Sequence, residues 1–553
     1  MFSIKLPVVM LLTVLFMCSA WSYAGQSQLL SGDESLYPRV LQLSHSEQED
    51  ENGNIIASVV SFTGGVGHAD IFVSRDQGES FELLSEIRDE DFQAGLCCGG
   101  LYELPSSINS LEAGTLLWAG SVGQQESASP MQIKVYHSTD QGLTWNYLSN
   151  CVDADKPVNE GGIWEPEFAI AATGELVCFY ADETPLNHSQ VLRYTKTSDG
   201  VNWSSPIDVV ASNNSSDRPG MPNVVALSGG GYAMSYEVCG ALSCATYLRE
   251  SSDALDWSDP NYLGEPVITE DGITFWATPT MTISSSANGN DQLVLQGRTL
   301  VREGVVQPDN GATVFISHSG DPAGPWLAYD SPVHTELPAG TDVDFCQNYS
   351  SPLLVLKGGK KLLQLASDFS EDGRCLTWFN AEPLGGVRAS IDGVELSSGS
   401  TKSTDVRLHV SNDYGGDYLL TADVPEFKGT VQLSDSQVTV LPGRDVVVSM
   451  KVVDQKVVSA SILDEPMAVA GVLCAPWFLL WAVRARKSAI LVVTMVLALL
   501  AVSGCGGGAS GASENSPTMS VSKTYEGTFT AVSVEAPRVK TATNFTITVT
   551  TDQ

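Results

Sequence analysis

Glu165 and Glu167 flank Pro166 directly after Trp164, and Asp182 and Glu183 close the same stretch, GGIWEPEFAIAATGELVCFYADE at 161–183. Alternating apolar residues on both sides of Gly174 predict two short strands joined by a turn. The carboxylates then fall at strand starts and ends, where an active site can collect them. Glu165 and Glu167 are two residues apart, so an extended segment points both to one face unless Pro166 interrupts it. Most acidic residues of an acidic chain are solvated surface charges. Glu165 is singled out by its aromatic neighbour and by the lack of a nearby basic residue.

The rest of the chain constrains what such carboxylates could act on. Its 553 residues carry 29 Lys+Arg against 65 Asp+Glu, a formal net charge of −36. A field of that sign repels nucleic acid and anionic membrane surfaces, so neither is expected as a partner. Residues 1–24 read as an export signal: Lys5, the apolar run PVVMLLTVLFM, and Ser22-Tyr23-Ala24 as a cleavage site. Eight cysteines between the signal and residue 460 suit disulfides in an exported chain, with Cys239–Cys244 and Cys346–Cys375 as the first pairs to expect. No metal ligand set and no cofactor motif stands out. The chain is expected as an exported monomer, periplasmic, extracellular or attached to the outer side of a membrane.

The elements that would position the carboxylates are written in a repeat. SRDQGESF at 74–81, STDQGLTW at 138–145, TSDGVNW at 197–203 and SSDALDW at 251–257 share a hydroxyl residue, an Asp and an aromatic residue, with Gly in the first three. HSGDPAGPW at 318–326 is a degenerate fifth copy. The aspartates lie roughly 55–70 residues apart, beside strand-like runs such as IKVYH and ATVFIS. Asp accepts backbone hydrogen bonds, Gly takes positive φ, and the aromatic ring tucks under a hairpin turn. About 360 residues at about 60 per unit predict an all-β, six-bladed β-propeller of four-stranded blades over 26–385.

The turns resemble the Asp-box (BNR) repeats of sialidase-like propellers. YPRV at 37–40, GHADIFVSRD, WEPEF, FYADE, RPGMPNVV at 218–225, GGYAMSYEVCG at 229–239 and QNYSSPLLV at 347–355 together resemble glycoside hydrolase family 93. That resemblance implies a retaining exo-acting α-L-arabinanase with two catalytic glutamates. One lies in a Trp-Glu-Pro segment, matching Glu165; the other follows a Tyr at a strand end, matching Glu237. The expected roles are Glu165 as acid/base and Glu237 as nucleophile, with the Tyr236 hydroxyl donating to Glu237. Arg39, His68, Asp70, Arg218 and Tyr349 are the expected substrate-binding residues, since Arg, His, Asp and Tyr can all read sugar hydroxyls. An oligosaccharide or polysaccharide is the expected partner, and no cofactor is required. Two rivals remain at this point. A sialidase would take Tyr349 as nucleophile, Asp70 as acid and Arg39, Arg218 and Arg298 as its arginines. A non-catalytic glycan-binding propeller would keep the turns without needing facing glutamates.

Beyond the repeats the composition changes. Residues 386–400 read as a linker and 401–465 as a small β-sandwich-like domain. Two apolar runs at 467–504, separated by Arg484, Arg486 and Lys487, suit a helical membrane hairpin. The second run also resembles a lipoprotein signal ending Val-Ser-Gly-Cys, with Cys505 as the lipidated residue. Residues 505–553 read as a Gly/Ser linker and the start of a truncated β domain.

Overall fold

The computed structural model describes residues 27–285, 291–335, 345–454 and 520–552, apart from short breaks at 386, 392, 411–415, 442–443 and 535–539. The export signal, the apolar runs at 467–504 and Cys505 lie outside the described residues. Among those described, the chain is all-β, with short 3-10 turns and no α-helix. None has a helix long and apolar enough to cross a membrane.

Among the described residues, those between 28 and 383 form six antiparallel sheets. Five are meanders in chain order, beginning with the strands Ser35–Gln42, Leu96–Glu103, Ile163–Ile170, Arg218–Ala226 and Thr280–Ser285. The fourth of these carries extra strands at its outer edge, Ile273–Trp276, Thr299–Arg302 and Val305–Val306. The sixth sheet holds Leu353–Val355, Lys361–Phe369 and Cys375–Pro383, and its last place is filled by Gln28–Leu29 from the start of the described chain. Apolar clusters join each sheet to the next: Trp118 packs with Ile56 and Ile71, Phe168 with Leu117, and Phe179 with Trp257. Leu363 and Phe379 of the sixth sheet pack with Ile55 and Phe72 of the first. The succession therefore closes on itself as a β-propeller, which removes the exposed sheet edges an open stack would leave.

The aspartate turns sit between the third and fourth strands of their sheets. In the first, Ser74 donates to Asp76 at 2.8 Å and the Ser80 N–H to Asp76 at 2.9 Å. The same pattern recurs at Asp140, Asp199 and Asp253, where the Thr144, Asn202 and Asp256 amides donate at 2.9, 2.7 and 2.7 Å. Asp321, in the degenerate copy, keeps only one such carboxylate contact, from the Ala323 amide at 2.8 Å. These turns hold the sheets rather than the chemistry. Trp257 shows how: its indole N–H closes the turn on the Ala254 carbonyl at 3.0 Å while its ring packs edge-on against Phe179 of the preceding sheet. Trp257→Ala is expected to cost about 3–5 kcal/mol of stability, measured by denaturant titration. Activity per folded molecule should be unchanged.

A second all-β unit follows. Its sheets are Val387–Ile391, Thr401–Val410, Asp445–Val453 and Thr430–Leu433, and a five-stranded sheet built around Ser520–Ser533 and Lys540–Asp552. Two expectations are corrected here. The stretch 386–400, read as a linker, contains the strands Val387–Ile391 and Val394–Ser397. The 520–552 hairpin is not the opening of a separate domain: it pairs with Val394–Ser397 and Gly416–Asp423. Its Phe529, Phe545 and Ile547 share one core with Val406, Leu408 and Met450.

Candidate functional site

The first strand of each of the first four sheets breaks register at one place. The breaks fall between Leu36 and Arg39, Cys97 and Gly100, Trp164 and Glu167, and Gly220 and Asn223. Each contains a non-glycine residue at positive φ: Tyr37 at 55°, Cys98 at 63°, Glu165 at 65° and Met221 at 57°. The fifth and sixth sheets are preceded by Thr278 at 48° and Ser350 at 55°. Side chains at positive φ cost conformational energy and collect at functional sites. A bulge also re-aims the side chain it carries. Here the re-aimed residues meet: Tyr37, Cys98 and Met221 form one buried cluster, with Trp164 and Tyr349 packed against it.

Glu165 stands in the middle of this convergence. Its Oε2 accepts the Met221 N–H at 2.6 Å. Glu237, on the neighbouring sheet, accepts the Thr278 N–H at 2.5 Å. Both face Gly220: a methyl group there would lie 3.3 Å from Glu165 Oε2 and 3.6 Å from Glu237 Oε1. The two oxygens are therefore no farther apart than the sum of those distances, well inside the ~9.5 Å limit for paired-carboxylate glycoside hydrolysis. Burial first, then the charge of Glu237, pushes Glu165 up to about 8. Burial pushes Glu237 up to about 7 against the Thr278 amide and Arg218. Two adjacent carboxyls that hold protons this far into the neutral range are equipped for acid–base work.

The surrounding groups connect the two glutamates. The Thr278 hydroxyl accepts the Ser350 N–H at 3.1 Å, and Arg39 donates to the Ser350 carbonyl at 3.2 Å. Arg39 also lies 4.1 Å over the Tyr37 ring and lowers the affinity of both Glu165 and Glu167 for protons. Arg218 donates to Glu183, to Gln190 at 2.7 Å and to the Ser189 carbonyl at 3.1 Å. Glu183 in turn accepts the Trp164 indole N–H at 3.0 Å, which fixes the ring beside Glu165. Despite burial, Arg218 and the Gly162 amide hold Glu183 below its ordinary value. Tyr349 is half-buried in the field of both glutamates: desolvation, then Glu165 and Glu237, raise its phenol well above the usual range.

Several expected positions differ. Tyr236 does not reach Glu237; its hydroxyl donates to the Leu263 carbonyl, and the ring stacks on Tyr247. Glu237 pairs with Thr246 and Tyr236 with Tyr247 along the same strand, so the two consecutive side chains point to opposite faces. The Thr278 amide takes the role expected of the hydroxyl. Glu167 bonds across to the neighbouring sheet. It accepts Asn223 Nδ2 at 3.0 Å and the Val224 amide at 3.3 Å, and burial raises it to about 7. His68 and Asp70 form a buried pair within the first sheet, with Nε2 and Oδ1 3.3 Å apart and Ser61 donating to Asp70 at 2.6 Å. Arg298, one of the arginines of the sialidase reading, is 1% exposed.

His68, Asp70 and the exposed Glu86 bring three ligand-type atoms within 4.8 Å of one another, as do Glu237, Cys239 and Cys244. The second group offers no thiolate ligands while Cys239 and Cys244 are bonded to each other. The described cysteines form four bridges: the two expected ones, Cys239–Cys244 and Cys346–Cys375, with Cys97–Cys98 and Cys151–Cys178. Gly220, Gln190, Met221 and Thr278 were not among the sequence candidates. Gly220 and Met221 lie in the quoted RPGMPNVV segment; the amides of Met221 and Thr278 leave no side-chain signal.

The fold and site together define a β-propeller with a pair of half-buried, facing carboxyls. Known structures share this fold. An α-L-arabinofuranosidase from Fusarium graminearum in complex with an iminosugar inhibitor aligns with 64% of this chain and 93% of its own, at 23% identity and TM-score 0.51. An α-L-arabinanase of Penicillium chrysogenum complexed with arabinobiose aligns with 65% and 98%, at 24% identity and TM-score 0.51. The glycoside hydrolase family 93 α-L-arabinofuranosidase of Fusarium graminearum with arabinobiose covers 66% and 98%, at 22% identity and TM-score 0.52. No family model matches the chain, and no curated protein matches it.

Proposed function

We propose that this protein is a retaining, exo-acting glycoside hydrolase that releases short arabino-oligosaccharides from α-1,5-L-arabinan. The six sheets serve as the blades of a six-bladed propeller whose axis carries the site. The observation that carries the reading is the meeting of Glu165 and Glu237 at Gly220, both half-buried and both raised in proton affinity. Retention needs carboxyls ~5–5.5 Å apart, which the Gly220 geometry accommodates.

Glu165, the more strongly raised of the pair, donates its proton to the leaving glycosidic oxygen. Glu237, whose ionised form the Thr278 amide favours, attacks the anomeric carbon and forms a glycosyl ester. Glu165, now ionised, takes a proton from water, which cleaves the ester and restores both groups. Arg39, Arg218 and Tyr349 line the substrate space. His68 and Asp70, bonded within their own sheet, support the first blade instead.

The test is product analysis with linear α-1,5-arabinan, run beside a sialoside. Short arabino-oligosaccharides with retained anomeric configuration are expected from the first, and no turnover of the second. Sialoside cleavage without arabinan cleavage sinks the proposal. Binding of arabinan without turnover makes the protein a glycan-binding propeller.

A further inference from the structure

The connection after Glu237 is short and closed on itself. Cys239 ends the strand Tyr232–Cys239, a 3-10 turn covers Gly240–Leu242, and Cys244 precedes the strand Ala245–Ser251. Cys239 and Cys244 are bonded to each other. Ser243 and Cys244 both take positive φ, at 56° and 61°, which side-chain-bearing residues adopt unwillingly. Gly240 is forced as well: a methyl group there would lie 2.2 Å from the Ser216 carbonyl oxygen. A turn with three unfavourable demands in five residues needs a restraint, and the bridge supplies one.

What that turn touches gives the restraint a second consequence. The Cys244 carbonyl accepts the Ala277 N–H at 2.8 Å. The next amide, Thr278, is the one that donates to Glu237 Oε2 at 2.5 Å. The Cys239 sulfur lies 3.3 Å from the other oxygen, Glu237 Oε1. A disulfide sulfur carries no proton, so this is a packing contact that blocks one side of the carboxylate. Glu237, Cys239, the bridge, Cys244, Ala277 and Thr278 thus form a closed circuit that begins and ends on one carboxylate. Ala277 and Thr278 hold positive φ, at 65° and 48°, so their amides depend on that anchoring to stay aimed.

We infer that the Cys239–Cys244 disulfide is a positioning element for Glu237, holding through Cys244 and Ala277 the Thr278 amide that aims the carboxylate. This rests on the catalytic reading of Glu237. The bridge touches Glu237 rather than the substrate, so its effect falls on the chemical step and on the ionisation of that group. Opening it lets the Thr278 N–H drift away from the carboxylate. The donor that favours the ionised form is weakened, so the proton affinity of Glu237 rises. Activity that needs Glu237 ionised then begins at higher pH.

The experiment compares the full chain with its Cys239→Ala/Cys244→Ala and Glu237→Gln variants on arabinan. The double variant is expected to lose on the order of 10- to 100-fold in kcat, with KM within about twofold of wild type. The acid limb of its kcat/KM profile should move to higher pH. An unchanged kcat and pH profile in the folded double variant overturns the positioning role. A Glu237→Gln variant with wild-type activity overturns the catalytic reading itself, a separable outcome. If the double variant does not fold, wild-type protein is reduced under native conditions with a phosphine and capped with iodoacetamide. The caps are then mapped by mass spectrometry. Loss of kcat that tracks capping of Cys239 and Cys244 supports the role; loss that tracks another bridge, or no loss, overturns it.

Discussion

Glu165→Gln and Glu237→Gln are each expected to lower kcat by at least 10²–10⁴-fold on arabinan, the contribution typical of a positioned proton-transfer group. Gln keeps the shape and the hydrogen bonds from Met221 and Thr278 but can neither donate the needed proton nor attack. Small anions separate the roles. Azide should rescue Glu237→Gly by attacking the anomeric carbon directly, giving an azide of inverted configuration. With Glu165→Ala it should intercept the glycosyl ester, giving retained configuration. The reverse pairing would exchange the assigned roles, and full activity in either Gln variant would end the two-glutamate mechanism.

The same pair sets the pH dependence. Wild-type kcat/KM should be bell-shaped, rising as Glu237 ionises near pH 7 and falling as Glu165 loses its proton near pH 8. Those apparent values belong to the interacting pair. Stability runs the other way. Both carboxyls are raised, so the folded state holds protons that the unfolded chain has released. The stability they allow is complete below an unfolded value of about 4.5 and declines as pH rises through about 7 to 8. Both Gln variants should therefore resist denaturant better than wild type at pH 8, although they are inactive.

Gly220→Leu is expected to abolish most activity without unfolding the protein, by on the order of 100-fold or more in kcat/KM. Gly220 is not at positive φ, so its backbone accepts a side chain. A Cβ alone would press on Gln190 Nε2 at 2.6 Å, the movable end of a side chain. Gly220→Ala should therefore lose only about tenfold as Gln190 and Arg218 adjust. The longer Leu fills the space that Glu165 and Glu237 share. Urea titrations of both variants should stay near wild type. Equal activity across glycine, alanine and leucine would mean that the substrate does not enter between the glutamates.

How much of this was readable from the chain depends on how local each feature is. The aspartate turns are local: hydroxyl, Asp and aromatic residues bond within a few residues, so their spacing announced repeated all-β units. The Cys239–Cys244 and Cys346–Cys375 pairs were likewise suggested by sequence. The resemblance of the WEPEF and YEVCG segments singled out Glu165 and Glu237. Composition alone excluded nucleic acid as an expected partner, since net charge is a sum over residue types.

The tertiary structure decided which carboxylates meet. Glu165 and Glu167 are equivalent by spacing, and only the register break on pairing with Leu176–Asp182 turns one toward Gly220 and leaves the other on Asn223 and Val224. Tyr236 and Glu237 are adjacent in sequence yet separated by the pleat. The Met221 and Thr278 amides could not be read at all, because every non-proline residue has one and only its placement makes it a ligand. The raised proton affinities arise the same way: desolvation is summed over all the neighbours that folding brings together. The strand segment 520–552 shows the rule on a larger scale, since its alternation predicts strands but only pairing chose their sheet.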